Sequence, residues 1–200
     1  MPETTTTDGR HLRGARSRRL VLDRAVDVGS SRGLDGLSFG GLANDVGMSK
    51  AGVQVLFGTK EALQVEVAEH ARSRFIEAVI EPTRSAAPGL TRLRALLDRW
   101  VVYAETPLFA GGCFRSANLP VFDSVAGPVR DTLTRHQAEW IGVVARELRH
   151  AVQEGEIAEL DVELTAFEID AVLCATNTSI RLGDENAVPR MRAIIDGLLS

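Results

Sequence analysis

The chain has little of what enzymes and secreted proteins are usually built on. Its 200 residues include two cysteines, Cys113 and Cys174, with no C-x-x-C spacing. That excludes a disulfide scaffold and makes a reducing cytoplasm the expected setting. The four histidines, His11, His70, His136 and His150, are scattered, with neither H-E-x-x-H nor paired i, i+4 spacing. No metal site is therefore expected. There is no Walker loop and no dinucleotide fingerprint, so no cofactor is expected either. No apolar run approaches the ~18–20 residues that a membrane span requires. Residues 1–14 are polar and threonine-rich, without the apolar segment of a signal peptide, and are expected to form a disordered tail. No stretch sustains the alternation of a strand, and there is no internal repeat.

What is present reads as helix after helix. Hydrophobic residues make up 44% of the chain and glycine and proline are ordinary, which suits a folded core rather than a disordered chain. Leu22, Ala25, Val26 and Gly29 form the i, i+3, i+4, i+7 stripe of a first amphipathic helix over 15–32. A long helix is expected from a Thr59 cap to about Ile80, stopped by Pro82. Another follows Pro88-Gly89, with Leu90, Leu93, Leu97 and Trp100 on one side, and ends at Pro107. Residues 109–124 look less regular, broken by Gly111-Gly112 and Pro120. Pro128 suits the first turn of a helix to about Val152. Asp161 can cap one to about Leu182, and a last helix fills 185–199. The expected fold is all-α, with about nine helices.

Residues 37–63 carry the most information. Ser38 is positioned as an N-cap, Leu42 and Ala43 as inward residues, Gly47 as a tight turn, and Ser49 as the cap of a second short helix. Two short helices bent around a glycine are a helix-turn-helix, which lays its second helix in the DNA major groove. Charge is divided in the same sense. Residues 1–60 hold nine Lys/Arg against six Asp/Glu, whereas the remainder holds fourteen against twenty-one. The attraction for phosphate thus lies at one end. Gly36-Leu37-Ser38-Phe39-Gly40 also matches the G-x-S-x-G nucleophile elbow. That motif needs a preceding strand and a following sheet; here a helix precedes it, and no enzyme is expected.

Arg18-Arg19-Leu20-Val21-Leu22-Asp23 with Ala25, Arg32-Gly33 and Asp35 resembles the first helix of TetR/AcrR-type transcriptional regulators. Ser38 to Ala43, Gly47-Met48-Ser49-Lys50 and Phe57-Gly58-Thr59-Lys60-Glu61-Ala62-Leu63 are similar to the rest of that family's DNA-binding domain, in register over about 50 residues. The Gly111-Gly112-Cys113-Phe114 run is similar to a subgroup. The resemblance implies a helix-turn-helix domain over 15–58 and a larger effector-binding and dimerisation domain over 59–200. It implies a sequence-specific, homodimeric regulator of double-stranded operator DNA, a repressor released by a small hydrophobic effector, in the cytoplasm and not at a membrane.

The expected DNA contacts are Ser38, Ser49, Lys50, Ala51, Gly52, Gln54, Thr59 and Lys60. Lys50 can reach a phosphate, and Gln54 can pair bidentately with adenine. Ser38, Thr59 and Lys60 lie at helix N-termini, which favour phosphate. Val53, Leu56 and Phe57 are expected in the core. Arg10, Arg13, Arg16, Arg18 and Arg19 form a basic run, either an arm for a minor groove or a solvated tail, with Arg16 and Arg19 best placed to meet a phosphate. Two positions depart from the resembled family. Gln54-Val55-Leu56 stand where it usually has a Tyr-His-Tyr-like cluster, and Gly29 where a large apolar residue would pack. The first departure keeps a rival open: a helical ligand-binding or protein-interaction module that no longer reads DNA.

In the body, Ala166, Ile169, Leu173 and Ile180 on one helix and Met191, Ile194, Ile195 and Leu198 on the last are expected at a four-helix dimer seam; the alternative is packing within the monomer. An effector pocket is expected among Trp100, Tyr103, Phe109, Cys113, Phe114, Asn118, Phe122, Trp140, Phe167, Cys174 and Asn177, any of which could instead be simple core.

Overall fold

The computed structural model describes residues 5–106 and 108–200, with side chains from Gly14 onward. Among these, all regular structure is helical. Nine α-helices follow in order: α1 (Thr5–Arg32), α2 (Phe39–Val46), α3 (Lys50–Phe57), α4 (Lys60–Phe75), α5 (Leu90–Glu105), α6 (Phe114–Phe122), α7 (Pro128–Gln153), α8 (Val162–Arg181) and α9 (Ala187–Leu198). No helix of the described residues is long and apolar enough to cross a membrane.

Packing divides the chain into two compact units, but not at the expected 58/59 boundary. One comprises the residues through Ala71 together with Phe109–Thr132; the other comprises Arg72–Leu108 and Leu133–Ser200. The reason lies in α4 and α6. The first three turns of α4 bury Leu63, Gln64, Val67, Ala68 and Ala71 in the first unit. Gln64 there donates to the Leu34 carbonyl at 3.0 Å. Segment 109–132 returns to the same unit because α6 docks on α1.

Residues 5–14, expected as a disordered tail, continue α1 instead. No proline interrupts the stretch. Residues 1–4 lie outside the described residues. The buried stripe of α1 is Val21, Ala25, Val26 and Gly29, so Val21 takes the inward place expected for Leu22, which is half-buried. Arg18 straps α1 to the helices behind it. Its guanidinium pairs with Glu66, donates to the Leu56 carbonyl and lies over the Phe57 ring at 4.8 Å. Asp23 accepts the His70 ring at 2.7 Å on the same side.

Between Gly111-Gly112 and Pro120 the chain is more regular than its composition suggests. Asn118 is the hub. Its Oδ1 accepts the Leu34 N–H at 2.7 Å, and its Nδ2 donates to the carbonyls of Gly29 (3.0 Å) and Phe114 (2.8 Å). The Gly111 N–H donates to Ser30 Oγ at 2.9 Å and the Ala110 N–H to Asp27 at 3.1 Å. The C-terminal end of α1 is thereby tied through side chains to α6 and to the turn before it.

The second unit forms around Leu93, Leu96, Trp100, Val144, Leu148, Ile169, Leu173, Met191 and Ile195, all buried. The expected long helix over 59–80 is present in extent. Its last turn, Ile76–Ile80, is π-helical, and Glu81–Thr83 closes it as a 3₁₀ turn around Pro82. The start of α5 is held by two carboxylates: Glu147, fully buried, accepts the Gly89 N–H at 3.2 Å, and Glu156 accepts the Leu90 N–H at 2.6 Å. Asp161 caps α8 by accepting the Leu164 N–H at 3.0 Å, as its sequence position indicates.

Candidate nucleic-acid interface

The helix-turn-helix forms for local reasons. Ser38 adopts extended backbone and its Oγ accepts the Gly41 N–H at 3.0 Å, starting α2. Gly47 closes α2 in the left-handed region with φ of 68°, a conformation costly for any residue with a Cβ. Ser49 repeats the cap, accepting the Gly52 N–H at 3.0 Å, and α3 begins. Thr59 Oγ1 accepts the Ala62 N–H at 3.1 Å and starts α4. Ser38 is thus a helix cap, and its G-x-S-x-G setting stands between a 3₁₀ turn and a helix, where the elbow's geometry is absent.

Each cap satisfies one N–H and leaves those of the first helical turn directed outward from the helix end. Ser38, Phe39 and Gly40 meet Lys50 and Lys60 around an open cleft of about 370 Å³, floored by Leu37 and Leu63. Lys60 Nζ donates to the Asp35 carbonyl at 2.7 Å, which fixes its ammonium at the rim. On α3, Val53 and Phe57 are buried, whereas Lys50, Ala51 and Gln54 are exposed and Gly52 is half-buried against its cap. Leu56, expected in the core, is half-buried. Val55 is 84% exposed. Sequence reasoning treated it only as a departure from a pattern; its position two residues from both Val53 and Phe57 is the signal that it faces away from the core. Arg16 and Arg19 are exposed, and Arg19 lies 3.9 Å from Asp23. Arg18 is not part of that exposed run, because Glu66, Leu56 and Phe57 hold it. The side chains of Arg10 and Arg13 lie outside the described residues.

The expected pocket residues fall in different units. Phe109, Cys113, Phe114, Asn118 and Phe122 are buried in the first, where Phe109 and Phe114 meet edge to face with centroids 6.4 Å apart. Asn118 cannot read a ligand there, because its oxygen and its amide serve backbone groups of α1 and α6. In the second unit Trp100, Tyr103, Trp140 and Asn177 are buried and Cys174 is partly so. Phe75, which sequence reasoning missed because it reads as one more residue of a long helix, packs edge to face on Tyr103 (5.1 Å) and Trp140 (5.3 Å). Trp140 Nε1 and Asn177 Oδ1 are buried without a hydrogen-bond partner among the described residues. Phe167 is corrected: at 61% exposed it lies on the outer face of α8, not in an interior.

The expected dimer residues divide as well. Ala166, Ile169, Leu173, Met191 and Ile195 are buried within the chain and have no surface to offer a partner, whereas Ile194 is exposed and Ile180 and Leu198 are half-buried. The exposed apolar stripe of α8 runs instead through Leu164, Phe167, Ala171 and Ala175, spaced by three and four residues, and Leu182 just past the helix is exposed as well. Both faces of this helix are apolar, and helical periodicity alone does not say which turns inward.

A family model described as "Tetracyclin repressor-like, C-terminal domain" matches residues 89–195. No curated protein matches the sequence. Among solved structures, a TetR transcriptional regulator from Chloroflexus aurantiacus J-10-FL aligns with a TM-score of 0.83 at 22% identity, over 92% of this chain and 96% of its own. A protein from Saccharomonospora viridis in complex with choline aligns with a TM-score of 0.75 at 18% identity, over 92% of this chain and 95% of its own. AibR, in complex with isovaleryl coenzyme A and operator DNA, aligns with a TM-score of 0.66 at 19% identity, over 80% of this chain and 85% of its own. At these identities the structures establish a shared fold, and the family match extends over more than half of the sequence. With described residues that are all helical in their regular structure and a serine-capped helix-turn-helix over α2 and α3, the conclusion is that this protein belongs to the TetR family of transcriptional regulators.

Proposed function

We propose that the chain acts as a homodimer on operator DNA, as a repressor that a small hydrophobic effector releases. The observation that carries this reading is the cleft that gathers Ser38, Lys50 and Lys60 beside the exposed face of α3. Two ammonium groups and the N-terminal ends of short helices suit a phosphate backbone, while α3 enters the groove with Ala51, Gln54 and Val55 foremost. The effector reading is supported by the buried aromatic interior of the second unit. There the N–H of Trp140 and the carbonyl of Asn177 are buried with no partner among the described residues. That AibR was crystallised with both an acyl coenzyme A and DNA, and the S. viridis protein with choline, makes this division of labour reasonable for the fold. The dimer reading is supported by the exposed apolar stripe of α8 and by Ile194 on α9. Helix α4 belongs to both units, with Lys60–Ala71 in the first and Arg72–Phe75 in the second. A coupling of ~1–3 kcal/mol between effector and DNA changes operator affinity about 5–150-fold.

A gel-shift series on the intergenic DNA beside the protein's own gene tests the reading. Retardation that weakens steeply with salt is expected, and Lys50→Ala should weaken binding on all sequences and reduce the salt slope by about one. Absence of a shift with every promoter fragment would leave the interaction-module reading in its place.

A further inference from the structure

We infer that α3 selects A·T base pairs through the methyl groups of thymine, with Val55 as the specificity-determining residue. The inference rests on the DNA-binding reading above and names what that site prefers. Val55 is 84% exposed and projects from the side of α3 opposite Val53 and Phe57, both buried. Ala51, one turn earlier, is exposed on the same side, and Gln54 lies beside them. The face that α3 presents is therefore methyl, isopropyl and amide.

Each of these has one good complement on a major-groove edge. The C5-methyl of thymine is the only apolar group that edge carries, and a glutamine amide pairs bidentately with N6 and N7 of adenine. Guanine calls for Arg or Lys, and cytosine for Asp or Glu as acceptor. Between Lys50 and Phe57 the only charged residue is Lys50 itself, one turn before Gln54, and it also lines the cleft with Ser38 and Lys60, where a phosphate is expected. The whole chain has just two lysines, Lys50 and Lys60, and both border that cleft. A β-branched valine is held to one χ1 rotamer within a helix, so little side-chain freedom is lost when its methyls meet a thymine. Burying one methyl-sized group contributes ~0.8 kcal/mol, or about fourfold in affinity.

The test uses the full-length protein and a pool of random duplexes. Selected sites should carry an A·T step in each half-site. Replacing thymine there by deoxyuridine, which removes only the methyl, should weaken binding about fourfold at one or two positions and leave the others unchanged. In Val55→Ser that penalty should vanish while the salt slope stays at its wild-type value; Val55→Ile should retain it. G·C-centred sites, or a deoxyuridine penalty equal in wild type and Val55→Ser, would overturn the inference while DNA binding stands. If no duplex is enriched, the DNA-binding reading itself fails, and this one with it.

Discussion

Gly29 and Phe114 occupy neighbouring space between α1 and α6, and each explains the other. A Cβ at Gly29 would lie 3.0 Å from Cε2 of the Phe114 ring. The large apolar residue that the family resemblance led one to expect at position 29 is thus supplied from α6 instead. Gly29→Leu should overpack the contact and cost about 1–3 kcal/mol, and Phe114→Ala should leave a cavity and cost about 3–5 kcal/mol. Combined, they should cost less than the sum by about 1 kcal/mol or more, because leucine fills the space that the ring vacates. Urea unfolding of the two single variants and the double variant measures this directly, and strict additivity would show that the two residues do not share the site. Sequence reasoning marked both positions but could not pair them, since 85 residues separate them and nothing local in either segment refers to the other. Asn118 was misread for a related reason. A buried amide that caps a neighbouring helix and one that waits for a ligand look alike until the backbone groups around it are known.

At the scale of elements, what was legible is what local chemistry decides. Ser38, Ser49, Thr59 and Asp161 each cap the helix that follows them, because a cap hydrogen bond closes within three residues and needs no tertiary information. The irregularity expected over 109–124 was wrong about α6, whose helix tolerates Pro120 while Asn118 anchors it to α1. On α8, Ala166, Ile169 and Leu173 follow the alternative that the sequence left open, packing within the chain, because choosing between two apolar stripes requires knowing what lies across from them. The joint between α4 and α7 within the second unit carries a pH signature. Burial works to raise the Glu139 carboxyl, but the hydrogen bond and charge of Arg72, with Arg135 and His136 nearby, outweigh it, and the pKa falls below the ordinary 4.5. A carboxylate held low in the fold contributes stability that is present above its unfolded pKa and disappears as pH drops through the folded value. Arg72→Met should therefore cost stability at neutral pH by an amount that shrinks as the pH is lowered below about 4.5. Thermal melts of both proteins between pH 7 and pH 3 read the difference. A gap that is constant across that range would mean that Arg72 acts by packing alone.

For the whole molecule, the proposed function requires two heads, and the surface that would bring them together is the outer stripe of α8. Phe167, 61% exposed, lies near its start, with Leu164 one turn before and Ala171 one turn after; α9 adds Ile194. Large apolar side chains exposed one turn apart suit a contact with a second copy, and the inner stripe of the same helix, through Ala166, Ile169 and Leu173, already supplies the core. A charge at Phe167 should thus be neutral to the fold of one subunit and destructive to a pair. Phe167→Glu should sediment as a monomer with wild-type helical content by circular dichroism. Its operator affinity should fall by roughly 10²-fold or more, because two linked half-site contacts become one. Residual binding should keep its dependence on Lys50 and lose its preference for paired half-sites, since each head still offers its cleft to phosphate. A Phe167→Glu protein that remains dimeric and holds the operator as tightly as wild type would move the subunit contact to another face, and with it the geometry by which two copies of α3 are spaced along the duplex.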